Sequence, residues 1–215
     1  MKYMIHACPQ RMWYVNDYLL PSMQAQGIKD IEIWNDTEGK GNLLACMEAF
    51  RACGEREGGT WHLQDDVLIS RDFAERTRAP VDGVVCGFGC QNSGPSMQER
   101  GRVPMVFMWY SFPCIYIPND LARECAAWFF EDAIRRTQYA AQVSDRKHDD
   151  WFWREFLLER HKDLWVINLV PNLVEHVDYL IGGTMINQQR RIQINRSAFF
   201  KDLDLVEELK SKIEH

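Results

Sequence analysis

The chain has 215 residues, 46% hydrophobic and 26% charged, with 13 Gly and 8 Pro; this is the composition of an ordinary globular domain and excludes a low-complexity or fibrous chain. A net charge of −6 and a pI near 5.5 argue against a protein that grips duplex nucleic acid by neutralising its phosphates. A small anionic ligand would need a cation to help it bind. The seven cysteines are odd in number, with no CxxC pair and no zinc-like Cys/His spacing, so they are expected as free, buried thiols in a reducing compartment. The apolar run at the N-terminus is too short for a signal peptide, and no stretch reaches the ~18 apolar residues of a membrane span, so a cytoplasmic location is expected.

Residues 2–7 read as a short buried strand stopped by Cys8-Pro9. Apolar residues at helical spacing follow (Met12, Val15, Leu19, Leu20, Met23), closed by Gly27, with Pro21 expected to kink or split the helix. Residues 30–34 form a second apolar strand, and the polar loop 35–42 opens a helix over about 43–53. Gly58-Gly59 leads into a third apolar strand, Thr60-Trp61-His62-Leu63-Gln64, which runs into Asp65-Asp66 before Val67-Leu68-Ile69. The first 70 residues therefore read βαβαβ, the pattern of a parallel, doubly wound sheet.

The remainder reads as a short helix over 71–78, a strand over 83–88, and an irregular loop over 89–102 rich in Gly, Ser, Asn and Gln, a candidate lid or acceptor loop. Strands over 105–109 and 114–117 come next, then a helix from the Asn119-Asp120 cap to about 141 with Leu121, Cys125, Trp128, Phe129 and Ile134 on its core face. A helix over 151–160 follows an acidic start, and an amphipathic helix over 202–213 closes the chain.

Asp65-Asp66 is the chemical landmark. Ligands collect outside the carboxyl ends of strands in open α/β sheets, and hard divalent ions such as Mg²⁺ or Mn²⁺ are held there by one or two carboxylates together with substrate phosphates. The plain alternative is a solvated Asp-Asp turn. With the early strand and its turn, the acidic pair after a central strand, the late acidic helix start, Pro171-Asn172-Leu173-Val174-Glu175-His176 and Leu180-Ile181-Gly182-Gly183, the chain resembles nucleotide-sugar-dependent glycosyltransferases of the GT-A fold over roughly residues 3–200. The fold this implies is a single Rossmann-like α/β domain over 1–215, with a mixed, mostly parallel central sheet flanked by helices. Residues 1–70 would be its nucleotide-binding half, 71–200 its acceptor side and 201–215 a C-terminal helix.

The resemblance implies roles for individual residues. Gln64-Asp65-Asp66 stands where the family carries its DxD motif, so Asp66 is the expected metal ligand and Asp65 the ribose or second metal contact; the departure from a literal DxD leaves open which acid carries the ion. His176 falls where some members complete the metal shell with an imidazole; a core histidine after a strand is the alternative. Ala7 and Cys8, Asp36, and the helix start at Lys40 and Asn42 sit where groups contact the nucleotide, with exposed amides at strand and helix ends as the physical reason; Asn42 as a simple N-cap is the alternative. Arg190 and Arg191, with Arg196 nearby, are arranged to clamp phosphates or form a solvated loop. Asp150, with Asp149, is the expected general base of an inverting enzyme, against the alternative that acids in a first helical turn merely suit the helix dipole. Trp151 and Trp153 either stack on sugar rings or pack in the core.

The implied activity is metal-dependent transfer from a nucleoside-diphosphate sugar, a UDP-sugar favoured, to a hydroxyl of a saccharide, a protein, a metabolite or a modified nucleic-acid base, with Mn²⁺ or Mg²⁺ as cofactor and no stable membrane insertion. Two other classes compete. A nucleotidyltransferase on a similar sheet would carry a glycine-rich loop after the first strand, where Ala7-Cys8-Pro9-Gln10-Arg11 has no glycine. A non-enzymatic α/β binding protein would bind no nucleotide with metal.

Overall fold

The computed structural model describes residues 1–53, 57–78, 83–89, 101–104, 112–131, 149–182 and 199–214; of residues 102–104 and 151 only the backbone is described. Strand β1 (Lys2–Ala7) is the hub. Its residues Tyr3, Met4 and Ile5 are all buried, the mark of a strand covered on both faces. It pairs in parallel with β2 (Ile31–Asn35) on one side and β3 (Gly59–Gln64) on the other. The chain thus runs from β1 out to β2 and crosses back over β1 to reach β3, which makes the gap between β1 and β3 a topological switch point.

The sheet continues beyond β3 through β7 (Cys114–Pro118), β5 (Val84–Cys86), β8 (Trp165–Asn168) and β6 (Gly101–Pro104), in the order β2-β1-β3-β7-β5-β8-β6. Strands β7 and β6 run against their neighbours and the other five share one direction. The sheet is therefore mixed and mostly parallel, as expected. A separate antiparallel ribbon pairs β4 (Val67–Ile69) with β9 (Val174–His176), placing His176 opposite Val67, directly after the acidic pair.

Helices cover both faces. On one side lie α1, continuous over residues 9–25, α3 (Phe73–Thr77) and α6 (Leu203–Ile213), packing Tyr14, Leu19, Met23, Phe73 and Leu209 against Tyr3, Ile5, Trp61 and Leu63. On the other lie α2 (Asn42–Cys53), α4 (Asn119–Glu131) and α5 (Asp149–Arg160), which bury Phe50, Trp128, Phe129, Phe152, Trp153 and Phe156 against the same sheet. Beneath α2, His6 Nε2 and His62 Nδ1 are 2.8 Å apart, and burial pushes His6 down to about 4 and His62 well below its usual value, so both rings are neutral.

Several elements differ from the sequence expectation. Helix α1 is divided into segments ahead of Pro21, by a change of helix type: a 3₁₀ turn (Pro9–Arg11), an α segment (Met12–Tyr14), a π segment (Val15–Leu19) and a second α segment (Leu20–Ala25) follow one another. Leu20 N–H donates to Val15 O, the wider π bond, and Pro21, which has no N–H, enters without an unpaired donor. Gly101 and Arg102 belong to β6 rather than to the irregular loop. The Asn119 side chain accepts a hydrogen bond from Thr60 Oγ1 at 2.8 Å, tying the start of α4 to β3. The expected strand over 105–109, loop residues 90–100 and the helical extension over 132–141 lie outside the described residues.

Gly59 at the start of β3 has no room for a side chain: a Cβ there would lie 2.3 Å from the Tyr116 hydroxyl and 2.9 Å from Ile117 O. Gly59→Ala is expected to destabilise the fold by about 1–3 kcal/mol through overpacking, measured as a lower midpoint in urea unfolding with an unchanged slope.

Candidate active site

The three parallel strands β1, β2 and β3 end at one edge, and the chain after each of them carries a polar residue tied into a continuous hydrogen-bonded rim. Cys8 N–H, just past β1, donates to Asp65 Oδ2 at 2.8 Å across the switch point. Asp36 N–H, just past β2, donates to Ala7 O at 2.9 Å. The Asp36 carboxylate accepts from the N–H groups of Lys40 and Gly41 (2.9 and 2.8 Å), which shapes the loop into α2. Asn42, in the first turn of α2, does not cap its own helix; its Nδ2 donates to Asp149 Oδ1 at the start of α5, 2.8 Å away. Residues from five stretches of the chain, around positions 7–8, 36, 40–42, 65 and 149, are thereby brought to one edge.

The acidic pair is buried, with Asp65 and Asp66 each 5% exposed. Its cation is Arg11, from the 3₁₀ turn after β1. One guanidinium nitrogen, Nη1, bonds Asp65 Oδ1 at 2.9 Å and also bonds Asp66 Oδ2. His176 Nε2 lies 3.2 Å from the same Asp66 oxygen, and its Nδ1 is 3.5 Å from Asp178 Oδ1. Burial alone would raise the Asp66 carboxyl, but the His176 and Arg11 charges outweigh it and hold it well below the usual carboxylate range. Asp65 is raised, by burial and by Asp66, against the opposing pull of Arg11. Burial alone would lower His176, yet Asp66 and Asp178 push it up to about 9, so the imidazole is protonated at neutral pH. The Cys8 thiol is raised to about 11 by burial and by Asp65 and stays protonated.

A divalent cation can be weighed against this arrangement. Among the described residues no three carboxylate, imidazole or thiol groups converge at metal-binding range, and Arg11 stands between the two acids instead. The donor types nevertheless fit once the imidazole is deprotonated: the Asp65 and Asp66 carboxylates with His176 are an oxygen-rich set with one imidazole that suits Mn²⁺, and Asp66 Oδ1 is buried without a hydrogen-bond partner.

Other expected residues fall as follows. Lys40 turns away from the edge, its Nζ on Glu48 (2.8 and 3.0 Å) and Glu38 (3.2 Å). Trp153 is 1% exposed and packs on Phe50, so of its two readings the core one holds. Asp149 is 2% exposed, and its second oxygen, Oδ2, has no hydrogen-bond partner; Asp150 beside it is half-buried. Arg190, Arg191 and Arg196, and the side chain of Trp151, lie outside the described residues. Sequence reasoning passed over Arg11 and Asp178. The signal for Asp178 was present, since His176-Val177-Asp178 places both groups on one side of an extended segment; a lone arginine after a strand carries no such mark.

Burial, then repulsion from Asp150, pushes the Asp149 carboxyl up to about 7. A carboxyl raised above its unfolded value of 3.8 binds more protons folded than unfolded between those two values, so its contribution to stability falls as pH rises through that window. Wild-type unfolding free energy is expected to decline from about pH 4 to pH 7 by an amount that Asp149→Asn removes, measured by urea titrations at stepped pH.

No protein-family model matches the chain, and no curated protein matches it in sequence. Among solved structures, it is similar to a galactosyltransferase, LgtC, determined in complex with donor and acceptor sugar analogues: 9% identity over 99% of this chain and 95% of that one, with a TM-score of 0.49.

Proposed function

We propose that this chain is a glycosyltransferase of the GT-A type, moving a sugar from a nucleoside-diphosphate sugar, a UDP-sugar favoured, to a hydroxyl acceptor with the help of Mn²⁺ or Mg²⁺. The observation that carries the reading is the meeting of two motifs far apart in sequence: His176 on β9 reaches Asp66 at 3.2 Å, at the carboxyl end of β3, beside the switch point of the parallel strands. Both were singled out from the sequence for one chemistry.

In this reading Asp66, Asp65 and His176, the last giving up its proton, would hold the ion. The bound ion supplies Lewis-acid stabilisation of the charge that develops on the departing diphosphate. Ala7, Cys8, Asp36, Lys40 and Asn42 form the wall against which the nucleotide lies, chiefly through backbone groups, since the Asp36 carboxylate is engaged within its own loop and the Lys40 ammonium with Glu38 and with Glu48 of α2. Arg190 and Arg191 clamp the phosphates. Asp150, or its neighbour Asp149, accepts the proton of the acceptor hydroxyl as that oxygen bonds to the sugar. Asp149, with its carboxyl raised to about 7, is matched to proton transfer near neutral pH. The residues after each of β1, β2 and β3 make the first 70 residues the nucleotide half of a single domain. No helix among the described residues is long and apolar enough to cross a membrane, and the acceptor is any hydroxyl compound that reaches this edge.

One observation favours a second reading, an α/β binding protein without catalysis: Arg11 and His176 already pair with the two acids, so the pair can serve the fold alone. Calorimetric titration of UDP, GDP, CDP and ADP with Mn²⁺ and again with EDTA separates the two. The glycosyltransferase reading expects manganese-dependent binding of one nucleoside diphosphate, lost in Asp65→Asn/Asp66→Asn while unfolding stays cooperative. Binding of none of the four under either condition rejects it.

A further inference from the structure

The position of Arg11 bears on what happens when the site is filled. Its Nη1 touches both acids, Asp65 Oδ1 at 2.9 Å and Asp66 Oδ2, and so stands where a cation shared by the two carboxylates would stand. The site is closed around it: Arg11 is 6% exposed, and Asp66 Oδ2 is also faced by His176 Nε2 at 3.2 Å. A divalent cation cannot take the place of Nη1 between Asp65 Oδ1 and Asp66 Oδ2 while the guanidinium remains there, because the two would repel severely at such low exposure. One resident must leave. His176 is fixed on β9, in register with β4 and backed by Asp178, and has no long stem. Arg11 is different: its backbone is anchored, with Arg11 N–H on Cys8 O at 3.0 Å and Cys8 N–H on Asp65, while its charge is carried at the end of a long stem with several rotatable bonds. Lys40, on the loop after β2, is held by Glu48 and Glu38.

We propose that Arg11 is a displaceable countercation: its guanidinium closes the acidic pair while the site is empty of ligand, and leaves the pair for the phosphates of a nucleoside diphosphate when a divalent cation takes the acids. This rests on the nucleotide-sugar reading above. It assigns Arg11 two states, each with its own anion partner, and a planar guanidinium with paired donors suits both carboxylate and phosphate. The acids are never left buried without a cation in either state.

The test compares wild type with Arg11→Gln and Arg11→Lys. Free Mn²⁺ is followed by electron paramagnetic resonance, thermal unfolding is recorded with Mn²⁺ and with EDTA, and UDP is titrated at saturating Mn²⁺. Without nucleotide, Arg11→Gln is expected to bind Mn²⁺ at least tenfold more tightly than wild type and to gain more unfolding temperature from it, because the ion replaces the missing charge. With Mn²⁺ present, its UDP affinity is expected to fall at least tenfold, for want of the guanidinium. Arg11→Lys keeps a point charge and falls between in both measurements. If Arg11→Gln does not fold in EDTA, Mn²⁺ is expected to restore cooperative unfolding, and failure to do so counts against the proposal. Unchanged Mn²⁺ or UDP affinity in folded variants, with wild type still binding Mn²⁺ and UDP together, overturns the role of Arg11 alone. Absence of binding in wild type and variants alike overturns the glycosyltransferase reading beneath it.

Discussion

Two adjacent carboxylates buried at the end of a central strand are the constraint on which the rest of this structure depends. Each buried ion costs several kcal/mol in lost hydration unless partners return it, and Asp65 and Asp66 are both only 5% exposed. The partners come from different parts of the chain: Arg11 from the turn after β1, the Cys8 amide beside it, and His176 from β9. Meeting this demand fixes where β9 and the start of α1 must lie. The β4–β9 ribbon and the unusual 3₁₀, α and π succession of α1 are organised around it, with the Tyr14 hydroxyl donating to Val67 O at 2.9 Å as a further tie between them.

The same edge gathers the groups that chemistry would need. A parallel sheet aims the ends of its strands in one direction, so β1, β2 and β3 deliver Cys8, Asp36 and Asp65-Asp66 side by side without any one loop being long. The link from Asn42 to Asp149 then extends the rim to α5 on the other layer. Fold and site are thus connected by hydrogen bonds at every step, and a group that holds a proton near neutral pH ends up on the same rim as the acidic pair.

Much of this was legible in the sequence, for physical reasons that can be named. Continuous apolar runs such as Tyr3-Met4-Ile5 announce strands covered on both faces, and the alternation of short strands with helical spacing announces parallel pairing of the first three. Asp65-Asp66 and His176 were legible because ionisable groups next to apolar strands demand a reason. The reversed strands β6 and β7 were not, since a strand of four or five residues carries no mark of its direction. Arg11 escaped for a related reason: an ion pair between residues distant in sequence leaves no local pattern, and its neighbours Pro9, Gln10 and Met12 say only that a helix begins. Lys40 shows a similar limit: the glycine-bearing helix entry marks a place for nucleotide contacts, but nothing local announces that the ammonium pairs with Glu38, two residues back, and Glu48, eight residues on.

The most direct measurement is the crystal structure of the protein soaked with Mn²⁺ and UDP, with anomalous data collected at the manganese edge. The account predicts one manganese peak against Asp65, Asp66 and His176, a diphosphate beside it at the ends of β1 and β3, and the Arg11 guanidinium turned from the acids to the phosphates. A nucleotide bound elsewhere, or no manganese peak at the strand ends with Arg11 still bridging both acids, would contradict it.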